Sequence, residues 1–354
     1  MVAVLPGLRG ASKGAALALL GRLPGGAHAY RELTRVQMGT QATHVDKLSR
    51  VLPGYLTAWR ERCGLELSDG LRLWIHEPGW TPFWALASYL LTGQGGVLTN
   101  IEARMLDRYL ARAVNGVLAL ALPAPQSRLR RVEALRWEHD VRRAVAALGA
   151  RLMEGHDEDR LPLPSGSVDL AHSGGALEHY TPARLRAFLA ECHRILRPGG
   201  IASHVLDHRD HLHHADHGYP FLAHLALPEP LYRALLGGPL TYHNRLSPAR
   251  VVALFEEAGF ERVALRRLVL PDPAASPRVP PLRPGAPRQG REDRHAAPQG
   301  REERDRRYVD DEESPDKHGA RPGLPRALLA PGHRDISEAD LRTAAGHYLF
   351  RKPM

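Results

Sequence analysis

The clearest pattern of apolar and polar positions along the chain lies within residues 157–200. Residues 168–173 are apolar except for a few polar positions and predict a buried strand. Thr181 and Pro182 then supply an N-cap side chain and a residue held at helical φ, which predicts the start of a helix. The apolar residues that follow recur at the spacing of one buried helix face: Leu185, Phe188, Leu189, Cys192, Ile195 and Leu196.

The same helix has a polar side and a sharp end. Arg184, Arg186, Glu191 and Arg194 fall between the apolar positions, and we expect them to point away from the core. Residues 198–200 read Pro-Gly-Gly, which ends a helix because proline cannot continue its hydrogen bonds and glycine permits positive φ. Residues 201–206 are again apolar. The whole stretch therefore predicts a strand, helix and strand of an alternating α/β fold.

A second such unit precedes it. Residues 71–76 predict a short buried strand, residues 77–80 a tight turn, and Thr81 with Pro82 the start of a helix that runs to about Leu91. Residues 97–99 predict the next strand, which ends at Asn100. In such a unit a cofactor binds over the first loop, at the helix N-terminus.

The rest of the chain divides into regions of different composition. Residues 1–70 predict a helical N-terminal cap, and residues 71–270 the core, with further strands at 150–153 and 261–270 and a helix from Ser247 and Pro248 to Ala258. Residues 271–325 are dominated by Pro, Arg, Gly and Glu and contain a repeated Gln-Gly-Arg-Glu, so they predict a disordered insertion. Residues 326–354 contain a final strand at 343–352 that completes the sheet.

Composition narrows the class of protein. The chain has 354 residues, 43% of them hydrophobic, enough for a sizeable core. Its net charge of +9 comes from scattered arginines with few aromatic residues between them, which favours a solvated basic surface over a nucleic-acid interface. No stretch reaches the ~20 apolar residues of a membrane span. We therefore expect a small-molecule partner, with no nucleic acid and no membrane; the oligomeric state stays open.

Two features bear on the compartment. Lys13, the apolar residues 15–20 and residues 27–29 loosely imitate a signal peptide, but the apolar run is too short and is followed by Arg22. Cys63 and Cys192 are the only cysteines, lie far apart in sequence and predict reduced thiols. Together they favour a cytoplasmic protein.

Residues 161–179 read LPLPSGSVDLAHSGGALEH, and after the helix comes LRPGG. This compound pattern resembles the central segment of class I S-adenosylmethionine (SAM)-dependent methyltransferases of the bacterial type 11-like group. The resemblance covers roughly residues 70–270 and 335–352. It implies a Rossmann-like, doubly wound, mostly parallel seven-stranded α/β sheet, with the last strand antiparallel between the fifth and sixth. It also implies SAM as cofactor, contacted by Asp157 at the adenine amino group and by Ser173 and Leu177.

The first glycine loop departs from that family. Ile75 stands where the family has an acid, Glu77 where it has the first glycine, and Asn100 where it has the acid that binds the ribose; only Gly79 matches. A side chain at Glu77 fills space, adds negative charge and disfavours positive φ. Asn100 can still bond a hydroxyl, at a cost of about 1–2 kcal/mol relative to a charged acceptor. We expect a degenerate cofactor loop that uses Glu77, Gly79 and Asn100.

The segment after the fifth core strand is rich in histidine. Residues 207–217 contain five histidines and three aspartates, which fits substrate binding or proton handling, a bland polar loop, or a metal site. No metal-ligand spacing stands out, so we expect the first and no metal. The candidate bases for an acceptor hydroxyl are His179, Asp207, Asp210 and His211.

Two functions follow from these residues. The first is a SAM-dependent methyltransferase that acts on a small-molecule or glycan-like acceptor. The second is a methyltransferase fold that has lost its reaction and serves as a binding or scaffold protein, because the glycine loop and Asn100 both depart from the family. The acceptor and its reacting atom stay open.

Overall fold

The structure is a computed structural model that describes residues 8–26, 28–30, 43–100, 105–155, 160–214, 219–269, 307–310 and 326–354. Its strands are β1 Leu73–His76, β2 Val97–Asn100, β3 Arg151–Glu154, β4 Val168–Gly174, β5 Leu196–Asp207, β6 Glu261–Val269, β7 Arg307–Asp310 and β8 Thr343–Arg351. Its α-helices are α1 Leu8–Leu20, α2 Thr43–Cys63, α3 Phe83–Thr92, α4 Leu110–Leu118, α5 Gln126–Ala134, α6 Val141–Ala147, α7 Pro182–Ile195, α8 Glu229–Leu236, α9 Pro248–Glu257 and α10 Glu338–Leu341. Within these ranges no helix has the length and apolar character needed to cross a membrane.

The strands form one sheet in the order β3-β2-β1-β4-β5-β8-β6-β7. Strands β1 to β5 are parallel, and β8 lies antiparallel between β5 and β6. This confirms the predicted Rossmann-like, doubly wound sheet and the place of its last strand. Because the parallel strands all end at one edge, the loops after β1, β2, β4 and β5 meet there.

An eighth strand was not predicted from the sequence. Residues 307–310 form β7, which pairs antiparallel with β6 at the edge of the sheet. They fall within residues 271–325, which the composition had assigned to a disordered insertion, so for these four residues that prediction is wrong. The other residues of the range lie outside the described part of the chain.

Helices cover both faces of the sheet. Helices α2 to α6 share one apolar core with the sheet, and α7 and α9 share the other. The long helix α2 belongs to the region predicted as an N-terminal cap. Its Trp59 is fully buried and donates its indole N–H to Ser203 Oγ in β5, at 2.7 Å. Helix α2 is thus anchored on the sheet beside the edge where the loops meet.

The helix boundaries follow the predicted caps in part. Helix α7 starts as predicted, with Thr181 Oγ1 accepting from the Arg184 N–H at 3.2 Å. It ends at Ile195, and residues 196–200 already belong to β5. Helix α3 begins at Phe83, with Pro82 rather than Thr81 at the N-cap position. Both shifts move a boundary by a few residues and leave the elements in place.

Glu191 corrects the predicted polar side of α7. It is 5% exposed instead of pointing into solvent. Its carboxylate accepts from the Leu161 N–H at 2.7 Å and pairs with Arg194 at 2.6 Å. The three-and-four spacing could not reveal this, because the loop before β4 folds over the residue.

The surroundings of Asp169 in β4 lead us to expect that the free energy of unfolding falls measurably in acid. Burial opposes its charge, but the Arg72 backbone N–H and the Arg197 guanidinium hold its pKa below the usual 3.8. The unfolded chain therefore takes up this proton at a higher pH than the folded chain. The resulting stability is complete above about pH 4 and is lost as the pH falls further.

We expect Asp169→Asn to lower the free energy of unfolding by about 1–3 kcal/mol at neutral pH. Urea unfolding between about pH 5 and 3 should show a shallower acid loss in this variant than in the wild type. Asp46→Asn is the control, because Asp46 pairs with Arg112 at the surface, where its side chain is 55% exposed. Equal acid slopes in the wild type and Asp169→Asn would contradict the assignment.

Candidate functional site

The loop after β1 keeps the backbone shape expected of a glycine loop. Glu77 has φ +51° and Gly79 φ +85°, both in the left-handed region. The Glu77 N–H donates to Thr99 O at 2.7 Å, which ties the loop to β2. The sequence led us to expect that Glu77 would avoid positive φ. The structure shows that it adopts this conformation, at a cost of about 1 kcal/mol.

Asn100 ends β2 beside this loop. It is 1% exposed, and neither Nδ2 nor Oδ1 has a hydrogen-bond partner among the described residues. Burying an unpaired amide costs about 1–3 kcal/mol in proteins, so such groups are usually satisfied. The geometry fits a ligand that brings polar groups, such as a pair of hydroxyls, to the end of β2.

The other predicted cofactor residues lie in different settings. Ser173 is buried in β4, and its Oγ lies 2.8 Å from His204 Nδ1 inside the sheet. Leu177 is fully buried, at the start of the short 3-10 turn Leu177–His179. Ile75, in the place of the family's first acid, is part of the apolar core. Asp157 lies outside the described residues, so its adenine contact stays a prediction.

A group of histidines lies beyond the ends of β4 and β5. His179 follows β4 and His211 follows β5, and their ring centroids are 4.8 Å apart. His243 lies 4.8 Å from His211, and His224 lies 5.0 Å from His243. Of the predicted bases, the structure therefore brings His179 and His211 into edge-to-face contact, with their ring planes 68° apart.

Asp207 lies at the end of β5 and is held as an anion. Burial opposes its charge, but Arg209, which binds both carboxylate oxygens at 2.8 and 2.6 Å, and His214, at 3.1 Å, hold the pKa of Asp207 well below its usual value. A carboxylate paired in this way is a poor proton acceptor. Its position suits it to orient Arg209 and His214 instead.

Asp210 forms hydrogen bonds within the loop that follows β5. Its Oδ1 accepts from the Leu212 N–H at 2.9 Å, and its own N–H donates to Phe221 O at 2.6 Å. Burial raises the pKa of Asp210 to about 6. These bonds close the turn that carries His211.

Glu178 is a site residue that the sequence analysis missed, although it is part of the LEH motif. It is 2% exposed, and its Oε2 has no hydrogen-bond partner among the described residues. Burial, together with the nearby Asp207 charge, raises the pKa of Glu178 to about 8. A carboxyl directly before His179, just after a strand end, was the signal that the motif offered.

The loop with Tyr242, His243 and Asn244 was also missed. The Asn244 N–H donates to Glu178 O at 2.6 Å, and Asn244 Nδ2 donates to Leu177 O at 2.9 Å. His243 Nε2 lies 2.7 Å from Asp207 O. This loop therefore ties the end of β4 to the end of β5. The polar run ahead of the Ser247 cap was visible in the sequence, but its partners were not.

Comparison with known protein families finds a match for part of this chain. Residues 123–203 match a family model described as a methyltransferase domain. Over this stretch the chain is similar to a methyltransferase domain. The matched stretch runs from the helices before β3 into β5, and so includes Glu178 and His179 but not the altered loop at Glu77.

The individual proteins that this chain resembles match it either over a short stretch or at low sequence identity. An uncharacterised methyltransferase of Synechocystis sp. is 43% identical over 60 residues, which is 17% of this chain and 28% of that protein. The chain thus spans under a third of that curated relative. A SAM-dependent methyltransferase of Mesorhizobium loti is 13% identical, with 81% of this chain and 93% of that chain covered and a TM-score of 0.37. Phosphoethanolamine N-methyltransferase 2 of Haemonchus contortus is 12% identical, with 85% and 53% covered and a TM-score of 0.40.

Proposed function

We propose that this methyltransferase domain binds SAM at the carboxyl edge of its sheet and transfers the methyl group to a small-molecule or glycan-like acceptor. The observation that carries the proposal is Asn100. This residue ends β2, and its buried amide has no hydrogen-bond partner within the described ranges; in the family, the residue that binds the ribose stands at this position. A protein that had lost the ligand would have no reason to keep this amide buried without a partner.

The cofactor supplies a methyl group already activated by a sulfonium, so the protein mainly has to bind and align. Asn100 would bind the ribose hydroxyls, and Asp157 the adenine amino group. The loop at Glu77 and Gly79 would offer its backbone to the methionine end. Ser173, in β4, and Leu177, in the turn that follows β4, would line the cofactor site.

The acceptor would bind among His179, His211 and the Asp207–His214 pair, where the ends of β4 and β5 meet. A hydroxyl acceptor must lose its proton, and imidazole is the side chain suited to that at neutral pH. In this proposal Asp207 orients His214, and Asp210 holds the turn that carries His211. Lys47 of α2 is close enough to influence the charge of Glu178, which puts the N-terminal helices beside this pocket.

A second function, a binding or scaffold protein without the reaction, is favoured by one specific observation. The core position of Ile75 removes the family's first carboxylate, and Glu77 brings a negative side chain into the loop instead. The family match also begins after this loop. SAM binding distinguishes the two functions, because only the methyltransferase requires it.

Calorimetric titration of the full chain with SAM tests the proposal. We expect binding by the wild type, and about tenfold tighter binding by Asn100→Asp, because a carboxylate accepts both ribose hydroxyls more strongly. Glu77→Gly combined with Asn100→Asp should bind more tightly still. Asn115→Asp, the same charge change on the exposed side of α4, should leave the affinity unchanged.

The proposal fails if the wild type and both Asn100→Asp proteins release no heat with SAM and show no thermal shift. That outcome would favour the scaffold function.

A further inference from the structure

We infer that Glu178, His179 and His211 form a binding site for one divalent transition-metal ion, such as Zn²⁺ or Mn²⁺, at the acceptor side of the pocket. The sequence analysis expected no metal in this region, because the spacing within residues 207–217 fits no known module. The structure changes that expectation, since two of the three donors come from the turn after β4 and only one from the histidine-rich segment.

The donors are of the right kind and converge from two neighbouring strands. One donor atom from each of Glu178, His179 and His211 lies within 4.8 Å of the other two. Two imidazoles and one carboxylate are a common set for divalent metals, with open positions left for water or substrate. Ligand atoms around one ion are roughly 3 Å apart, as metal–ligand bonds of about 2.0–2.2 Å require. The three donor atoms would therefore draw closer together when an ion binds.

The hydrogen bonds around the donors match those of metal ligands. His179 Nδ1 lies 3.2 Å from Tyr242 O, so Nδ1 carries the proton that it donates and the lone pair is on Nε2. Metal-binding histidines almost always donate their other ring N–H in this way. The backbone carbonyl of Glu178 is held in turn by the Asn244 N–H at 2.6 Å. Both outer contacts come from the one loop that ties the two strand ends together.

Glu178 is the independent sign that a cation is needed. Its Oε2 is buried and has no hydrogen-bond partner among the described residues, and the nearest strong anion, Asp207, adds repulsion. Arg209 does not relieve this, because its guanidinium binds both oxygens of Asp207. A divalent ion would displace the carboxyl proton and satisfy the buried Oε2, since buried polar groups in proteins are hydrogen-bonded and buried charges are paired or bind metals.

A bound ion would change the role of the two histidines. They would act as ligands and not as proton acceptors, and the ion would polarise the acceptor oxygen and so ease loss of its proton. Only this consequence rests on the proposed function. The binding of metal itself does not require SAM.

Titration of the chelator-stripped full chain with Co²⁺ tests the site, with visible absorption and elemental analysis as readouts. We expect about one Co²⁺ per wild-type chain. His179→Asn and Glu178→Gln should each weaken binding at least tenfold, the scale on which loss of even an outer-shell partner acts. Thermal unfolding of each variant checks that it folds. His179→Asn alters an exposed side chain, so this variant can still test the site if Glu178→Gln does not fold.

Two controls separate this site from other histidines. His214→Asn changes a neighbour whose Nε2 is bound to Asp207, and His139→Asn changes an exposed histidine before α6. Both should keep the wild-type Co²⁺ affinity within about twofold, in contrast to the tenfold loss expected for the ligand variants. The inference is wrong if the wild type binds no Co²⁺ stoichiometrically, or if the controls lose as much affinity as the ligand variants. Because SAM is absent from the assay, failure of the proposed function would not affect the result.

Discussion

Replacing Asp340 with asparagine is expected to lower the free energy of unfolding by about 3–5 kcal/mol. Asp340 in α10 binds Arg267 of β6 at 2.6 Å, with side chains 2% and 9% exposed. The same carboxylate accepts from the Ala249 N–H of α9 at 3.1 Å, and Arg267 also donates to Thr343 Oγ1 at 3.0 Å. The substitution would remove the carboxylate that pairs with the buried Arg267 guanidinium.

Urea unfolding measures this effect as a lower midpoint with an unchanged slope. Glu338→Gln is the matched control, since Glu338 pairs with Arg326 only five residues before the start of β8 but is 57% exposed. We expect it to cost less than about 1 kcal/mol. Arg267→Met combined with Asp340→Leu should recover most of the loss, because replacing both partners removes the unpaired charge. A loss as large in the double variant as in Asp340→Asn would contradict this explanation.

Replacing Glu191 with alanine is the second large effect, with an expected loss of about 2–3 kcal/mol. Glu191 accepts from the Leu161 N–H at 2.7 Å and from Arg194 at 2.7 and 2.6 Å. Arg194 in turn donates to the backbone oxygens of Leu161 and Leu163. A single ion pair on α7 thus holds the loop that leads into β4.

The functional consequence can be measured as well. The loop follows Asp157, the residue proposed to contact adenine, so we expect Glu191→Ala to weaken SAM binding in calorimetry. Glu257→Ala on α9 is the control, because Glu257 pairs with Arg250 at 2.6 Å but is 46% exposed. It should cost much less stability than Glu191→Ala and leave SAM binding unchanged. Equal losses in both variants would show that burial of Glu191 is not the cause.

Local signals in the sequence were sufficient to predict most of the individual strands and several helix starts. The apolar runs at β1, β2, β4 and β6, and the caps at Thr181 and Ser247, depend on residues within one turn or one strand of each other. The resemblance to methyltransferases supplied the strand order, which spacing alone does not give. The strand Arg307–Asp310 was missed, because its flanks are rich in proline and arginine and its partner β6 is far away in sequence.

The sequence by itself determined which side chains stand at the strand ends: Glu77 and Gly79 after β1, Asn100 at the end of β2, the LEH motif after β4 and Asp207 at the end of β5. It could do so because each follows directly from its own apolar run. Only the tertiary structure decided what these residues do. Arg209 pairs with Asp207, Asn100 is buried with no partner in the part of the chain that the structure describes, and Glu178 lies close to His179 and His211. These arrangements arise because the packing of parallel strands brings loops that are distant in sequence to one edge.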